Sequence, residues 1–126
     1  MAANRDSIQD ALARGQTIDI TTTGRRTGKA RRIEIVFHNI GGRIYISGQP
    51  RPEKRDWLRN LEADPHLTFH LKGRTRADLP ALARVIDDVS ERRQVLPHVA
   101  RAWNRTDVDR MVRESPLIEV TFPKAG

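Results

Sequence analysis

The sequence predicts a mainly β chain with peripheral helices, an α+β domain or small barrel of short antiparallel strands. Two observations carry this. Segments 31–38 and 66–72 alternate apolar and polar side chains with period two, the pattern of half-buried strands. The first three strand-like segments are joined by turns alone, whereas parallel pairing would need a crossover helix between them.

The elements follow in order. Residues 4–14 suit a short amphipathic helix, with Ile8, Ala11 and Leu12 on one side and Gly15 as a stop. "TIDITTT" (17–23) is rich in β-branched residues and reads as a strand. Gly24 and Gly28 interrupt the pattern, so 24–30 forms a turn. "RRIEIVFH" (31–38) sets Ile33, Ile35 and Phe37 against Glu34, Val36 and His38. "NIGG" then turns into "RIYIS" (43–47), a hairpin partner. After the loop "GQPRP", Pro52 suits a first helical position, with Trp57, Leu58 and Leu61 at helical spacing. Pro65 ends that helix, because it pushes Asp64 out of the helical region.

"HLTFHLK" (66–72) is the next strand, and 75–86 another, interrupted or bulged near Pro80. Asp88 with Glu91 matches a capping box. Pro97 is expected to break or kink the helix it opens, and "HVARAWN" continues it. "SPLIEVTFP" (115–123) closes the chain as a strand. At 126 residues the whole of 1–126 is expected to be one domain, burying roughly two thirds of its unfolded surface.

Charge is concentrated rather than spread. Five cations, Arg25, Arg26, Lys29, Arg31 and Arg32, fall in eight residues, with no Asp or Glu between Asp19 and Glu34. Taking those five from the formal net charge of +7 leaves +2. A localised cationic field raises the local concentration of anionic partners, although a solvated turn is the plain alternative. The absence of cysteine excludes disulfides, thiolate metal sites and cysteine nucleophiles, and agrees with a cytoplasmic protein. No segment has the apolar run of a signal peptide or membrane span, so membrane association is expected to be peripheral at most.

Several site types fail on spacing. Only three residues separate Gly24 from Gly28 and Ala30 follows Lys29, so no P-loop is present; G-x-G-x-x-G is also missing. His66 and His70 lie on a strand, where four residues span about 13 Å and cannot converge on one metal. No serine sits in a nucleophile elbow. Two Trp, one Tyr and three Phe supply few stacking surfaces for a nucleic acid, so a nucleic-acid-binding module is the minor alternative. Trp57 and Trp103 both sit at helical spacing with aliphatic residues, so core packing is the default for each. What remains is a turn whose glycines let backbone amides approach an anion. Its arginines add bidentate donors, and Thr27 a hydroxyl.

Three stretches in order, "TTTGRRTGKARRIEIVF", "GGRIYISG" and "RDWLRNLEADPHLTFHLKG", resemble the deazaflavin-dependent nitroreductase family, which uses coenzyme F420. The resemblance covers about Ile18 to Gly73 well. It implies a split β-barrel related to FMN-binding oxidoreductases. It also implies a cofactor with a phosphate and a tail of glutamates, hence a chain of negative charges. By this resemblance Arg25, Arg26, Thr27, Gly28 and Arg31 contact the anionic part, with Lys29 and Arg32 as supporting charges. Ser47, Gly48 and Gln49 border the deazaflavin ring, and Trp57 and Asn60 close that region. The implied reaction is hydride transfer between the cofactor and an electron-poor small molecule, such as a quinone, enone or nitro compound. An FMN-binding protein or a non-catalytic cofactor carrier of the same fold is the alternative, and related barrels are commonly homodimers. No residue is singled out as catalytic acid. Arg55 and Leu58 stand where well-known members have Pro and Tyr, and Tyr45 is the only tyrosine, so the substrate stays open.

Overall fold

In a computed structural model, residues 5–123 are described; the expected helix start at residue 4 lies outside them. Four helices surround six antiparallel strands: α1 (Arg5–Leu12), β1 (Thr17–Thr23), β2 (Ala30–Ile40), β3 (Arg43–Ser47), α2 (Asp56–Ala63), β4 (His66–Lys72), β5 (Arg76–Val85), α3 (Val89–Ala102), α4 (Val108–Glu114) and β6 (Leu117–Thr121). The strands close into a barrel in the order β1-β2-β3-β6-β5-β4. Among the described residues, no helix is long and apolar enough to cross a membrane.

Alternation decides which side chains fill the barrel. Ile18 and Ile20 of β1, Phe37 of β2, Ile46 of β3 and Phe69 of β4 are fully enclosed there, and the Phe37 and Phe69 rings meet edge to face at 5.2 Å. A second core lies outside the barrel wall, where Val95, Leu96 and Val99 of α3 and Met111 of α4 pack with Ile86 and Leu117. Nothing in the alternation of β2 marks His38 as enclosed, since it points away from the barrel interior. The α3 layer buries it nonetheless, with Trp103 edge-on at 5.2 Å. Trp57 packs in the barrel core and Trp103 lies half-buried against the second.

Three local expectations give way to tertiary packing. The second helix starts at Asp56, with Arg55 as its N-cap, rather than at Pro52. Residues 51–54 are exposed, three of them charged, and the helix begins where Trp57 and Leu58 can be buried. Pro97 neither breaks nor ends α3, which runs on to Ala102. The lost backbone hydrogen bond is offset by burial of Leu96, Val99 and Ala100 around it. β5 passes through Pro80 as one strand, with Pro80 opposite Thr68. Pairing of β5 with β6 begins only at Leu82, so one side of β5 is unpaired at Pro80 and a missing donor is tolerated. The capping box is half made. Asp88 accepts from the Glu91 amide at 2.8 Å, but the Glu91 carboxylate instead forks onto Arg84 at 2.9 and 2.6 Å.

His38 should make the fold acid-sensitive. Its Nε2 is buried and has no hydrogen-bond partner among the described residues, and burial holds the imidazole below its ordinary value of 6.5. The unfolded chain takes up a proton near that pH while the folded chain does not. The stabilising contribution is therefore complete above pH 6.5 and is lost as pH falls toward the folded value, at up to about 1.4 kcal/mol per pH unit. Urea unfolding compared at about pH 7.5 and 5.5 should show a smaller loss for His38→Leu than for wild type. Equal losses would assign the acid sensitivity to other groups.

Candidate functional site

The cationic turn is built by its glycines. Gly24 donates to the Lys29 carbonyl and Gly28 to the Gly24 carbonyl, both at 2.8 Å, which pinches residues 24–29 into a tight loop. Gly28 has φ +71°, a conformation that side-chain-bearing residues adopt at a cost. A Cβ on Gly24 would lie 3.0 Å from the Thr27 hydroxyl and 3.1 Å from the Lys29 carbonyl. Thr27 Oγ1 in turn accepts from the Lys29 amide at 3.2 Å.

Asn60 of α2, only 4% exposed, fastens the turn to the barrel. Its Oδ1 accepts from the Arg25 backbone amide at 3.2 Å and from the Arg25 guanidinium at 3.0 Å. Its Nδ2 donates to Thr22 Oγ1 at 3.2 Å. The Arg25 guanidinium also reaches Asp56, one helical turn before Asn60, at 3.3 Å. Arg25 is thus committed to a strand–turn–helix junction.

The five cations divide by what they face. Arg32 points to the outer wall and bonds Asp19 at 2.9 Å. Asp19 also accepts from Lys72 at 2.7 Å, and Lys72 makes a second short ion pair with Glu34. The hydrogen bonds from Lys72 and then Arg32 hold the Asp19 carboxyl below its ordinary value. Arg26, Lys29 and Arg31 have no ion-pair partner among the described residues. Like charges gathered on one turn without neutralisation repel one another, and an added anion relieves that repulsion.

Arg25, Arg26, Thr27 and Arg31 line a cavity of about 460 Å³, together with Trp57 and Asn60. Thr22, Gly24, Ile33 and Asp56 complete its wall. Six residues singled out in the sequence are therefore brought together from three elements. Gly28 lines a separate cavity on the other side of the turn. Lys29 is exposed at the tip.

The loop after β3 is placed apart from this lining. Ser47 is buried and donates to the Pro116 carbonyl at 2.6 Å, and the Gln49 carbonyl accepts from Arg55 at 2.6 Å. A Cβ on Gly48 would lie 3.0 Å from Arg55 and from Pro116. Burial first, and then the Arg51 charge, depress the Arg55 guanidinium.

Asp56 was not anticipated at the site, although it stands four residues before Asn60 on a predicted helix and so shares its face. Thr22 was not anticipated either. Its inward position follows from the alternation of β1, but its contact with Asn60 needs the docking of α2.

A family model for F420H(2)-dependent quinone reductases matches residues 3–121. No curated protein matches the chain. Among solved structures, a conserved hypothetical protein from Mycobacterium tuberculosis has 19% identity and a TM-score of 0.74, over 98% of this chain and 83% of that one. A structure described as an F420 reductase has 16% identity and a TM-score of 0.68, over 93% of each chain. HutZ, the heme storage protein of Vibrio cholerae, has 14% identity and a TM-score of 0.70, over 99% of this chain and 93% of that one. At these identities the structures establish a shared fold, and the match to the family model carries the assignment. The chain belongs to the F420H(2)-dependent quinone reductase family, and is an F420-dependent reductase built on a six-stranded antiparallel barrel.

Proposed function

We propose that the protein transfers a hydride from reduced F420 to an electron-poor small molecule of the quinone, enone or nitro class, and that the cationic turn grips the anionic part of the cofactor. The observation that carries this reading is the pair Arg26 and Arg31. Both lack a carboxylate partner among the described residues, and both border the 460 Å³ cavity. The donor set suits a chain of negative charges: two guanidiniums and the Thr27 hydroxyl.

Arg26, Arg31 and Thr27 bind directly. Arg25, already held by Asn60 and Asp56, shapes the rim, while Lys29 and Arg32 add to the field. Trp57 supplies an apolar wall, and the loop at Ser47, Gly48 and Gln49 borders the ring. Bound, the reduced cofactor supplies the hydride; the protein supplies orientation, charge neutralisation and exclusion of water.

The test is a fluorescence titration with F420 and with FMN at two salt concentrations, followed by addition of menadione to the F420H2-loaded protein. Salt-sensitive F420 binding and oxidation of the cofactor by menadione are expected. Binding of FMN without F420 would overturn the reading.

A further inference from the structure

On the outer wall of the barrel, three strands contribute one continuous hydrogen-bonded chain. Thr21 Oγ1 lies 2.7 Å from His70 Nε2, and His70 Nδ1 lies 2.6 Å from Asp78 Oδ1. Strand register explains the geometry. His70 of β4 stands opposite Asp78 of β5. Across β1 it stands opposite Asp19, one diagonal step from Thr21, whose direct partner is Thr68.

The two ends of the chain differ. The imidazole is buried, but the Asp78 side chain is 75% exposed. Thr21 lines a cavity of about 490 Å³ at the barrel rim, with Thr68, Leu67, Ala81 and Leu82. Thr22 belongs to the linings of both this cavity and the cationic one.

A hydroxyl, an imidazole and a carboxylate in series can activate a nucleophile or conduct a proton. The nucleophilic use needs free backbone amides to hold an oxyanion, and in that arrangement the orienting carboxylate is buried. Here the carboxylate is in solvent, and β1 is paired with β2 and β4 on either side of Thr21. A chain with one end in water and the other in a cavity suits proton delivery.

We propose that the rim cavity receives the substrate and that Thr21 is its proton donor, resupplied from His70, which Asp78 holds in place. This rests on the hydride-transfer reading above. A quinone or enone that gains a hydride, which is two electrons and one proton, is left with an oxyanion and needs one further proton. Thr21 Oγ1 gives that proton to the substrate oxygen and takes the proton from His70 Nε2. The ring gives up its Nε2 proton as an imidazolium and keeps Nδ1–H on Asp78, and water entering the cavity as product leaves restores the proton at Nε2. Thr21 is the catalytic residue, His70 is its proton relay, and Asp78 is a positioning residue.

The surrounding charges leave this chain intact. Asp19, facing His70 from β1, is occupied by Lys72 and Arg32, and Glu34 of β2 is also taken by Lys72. Asp78 is thus the carboxylate left to His70. The hydrogen bond to His70 is the main cause of its carboxyl lying below the ordinary value of 3.8.

Thr21→Val keeps shape and removes the donor. In the F420-loaded protein it should slow menadione reduction by about 100-fold, leave F420 affinity unchanged, and abolish the solvent deuterium isotope effect on that step as transferred through the hydroxyl. Thr21→Ser should restore both rate and isotope effect. Two readings do not depend on turnover. A downfield imidazole N–H signal from the short His70–Asp78 contact should be present in wild type, shift in Thr21→Val and vanish in Asp78→Asn. Menadione alone should perturb the Thr21 and Thr68 methyl signals. Unchanged rate and isotope effect in Thr21→Val would overturn the donor assignment. Menadione perturbing only other residues would overturn the substrate cavity. Wild-type protein that binds F420 but transfers no hydride would instead overturn the preceding reading, while the imidazole signals still report on the chain itself.

Discussion

Replacing Arg26 and Arg31 together by alanine should weaken F420 binding by at least about 100-fold and leave the melting temperature nearly unchanged. A hydrogen bond to a charged group contributes about 1.5–3 kcal/mol, so losing one from each residue removes roughly 3 kcal/mol or more. Neither guanidinium has an ion-pair partner among the described residues, so no structural interaction of that kind is lost with them. Fluorescence titration and thermal unfolding of the same preparation measure the two effects. The salt dependence of binding should also flatten, because fewer cations remain to attract the ligand. Arg25→Ala provides the contrast. Arg25 is tied to Asn60 and Asp56, so its removal should reduce stability as well as affinity. Full F420 affinity in the double variant would return the turn to the status of a solvated connection.

The largest effect on stability is expected far from that turn, at Arg92→Met. Arg92 is only 8% exposed, and its guanidinium donates to four backbone carbonyls: Val112 and Ile86 at 2.8 Å, Met111 at 3.2 Å, and Ser115 in a shorter contact. Three of these belong to the last turn of α4 and its C-cap, where a helix end leaves carbonyls short of partners; of the three, the Met111 carbonyl also accepts from the Ser115 amide at 2.9 Å. Burial depresses the guanidinium, partly countered by the Asp87 charge. Methionine fills comparable space but donates nothing, so the enclosed carbonyls lose their partners at about 1–3 kcal/mol for each one left unsatisfied. A loss of at least about 3 kcal/mol, or a fall in Tm of roughly 10 °C, should appear in thermal and urea unfolding. A loss below about 1 kcal/mol would mean that water replaces the guanidinium.

The strands were legible where their signals are local. β1, β3 and β4 fall at 17–23, 43–47 and 66–72 as alternation and glycine or proline stops predict. The start of α2, the passage of α3 through Pro97 and the continuity of β5 at Pro80 were not, because each is decided by what packs on that segment. The candidate site divides along the same line. Its cations and glycines are contiguous in sequence and announce themselves. By contrast, the separation of Arg25 and Arg32 from Arg26 and Arg31 depends on Asp56, Asn60 and Asp19, brought in by helix docking and the β1–β2 register. In the sequence His70 stands out only by its spacing from His66. Its contacts with Thr21 and Asp78 lie 49 and 8 residues away and appear only once β4 is placed between β1 and β5.

Closure of the barrel has a consequence for self-association. In a ring of six strands none is terminal, so no strand is free along a whole edge to template another chain, although β5 before Leu82 and β2 before Phe37 are paired on one side only. The β1–β4 seam is the narrowest join, with three residue pairs from Asp19 to Thr21, against seven between β1 and β2. If the ring opens under mild denaturant it should part there, baring two edges at once. The Thr21–His70 contact crosses that seam. A substitution there would then be read twice, once in proton delivery and once in the tendency of the chain to form fibrils.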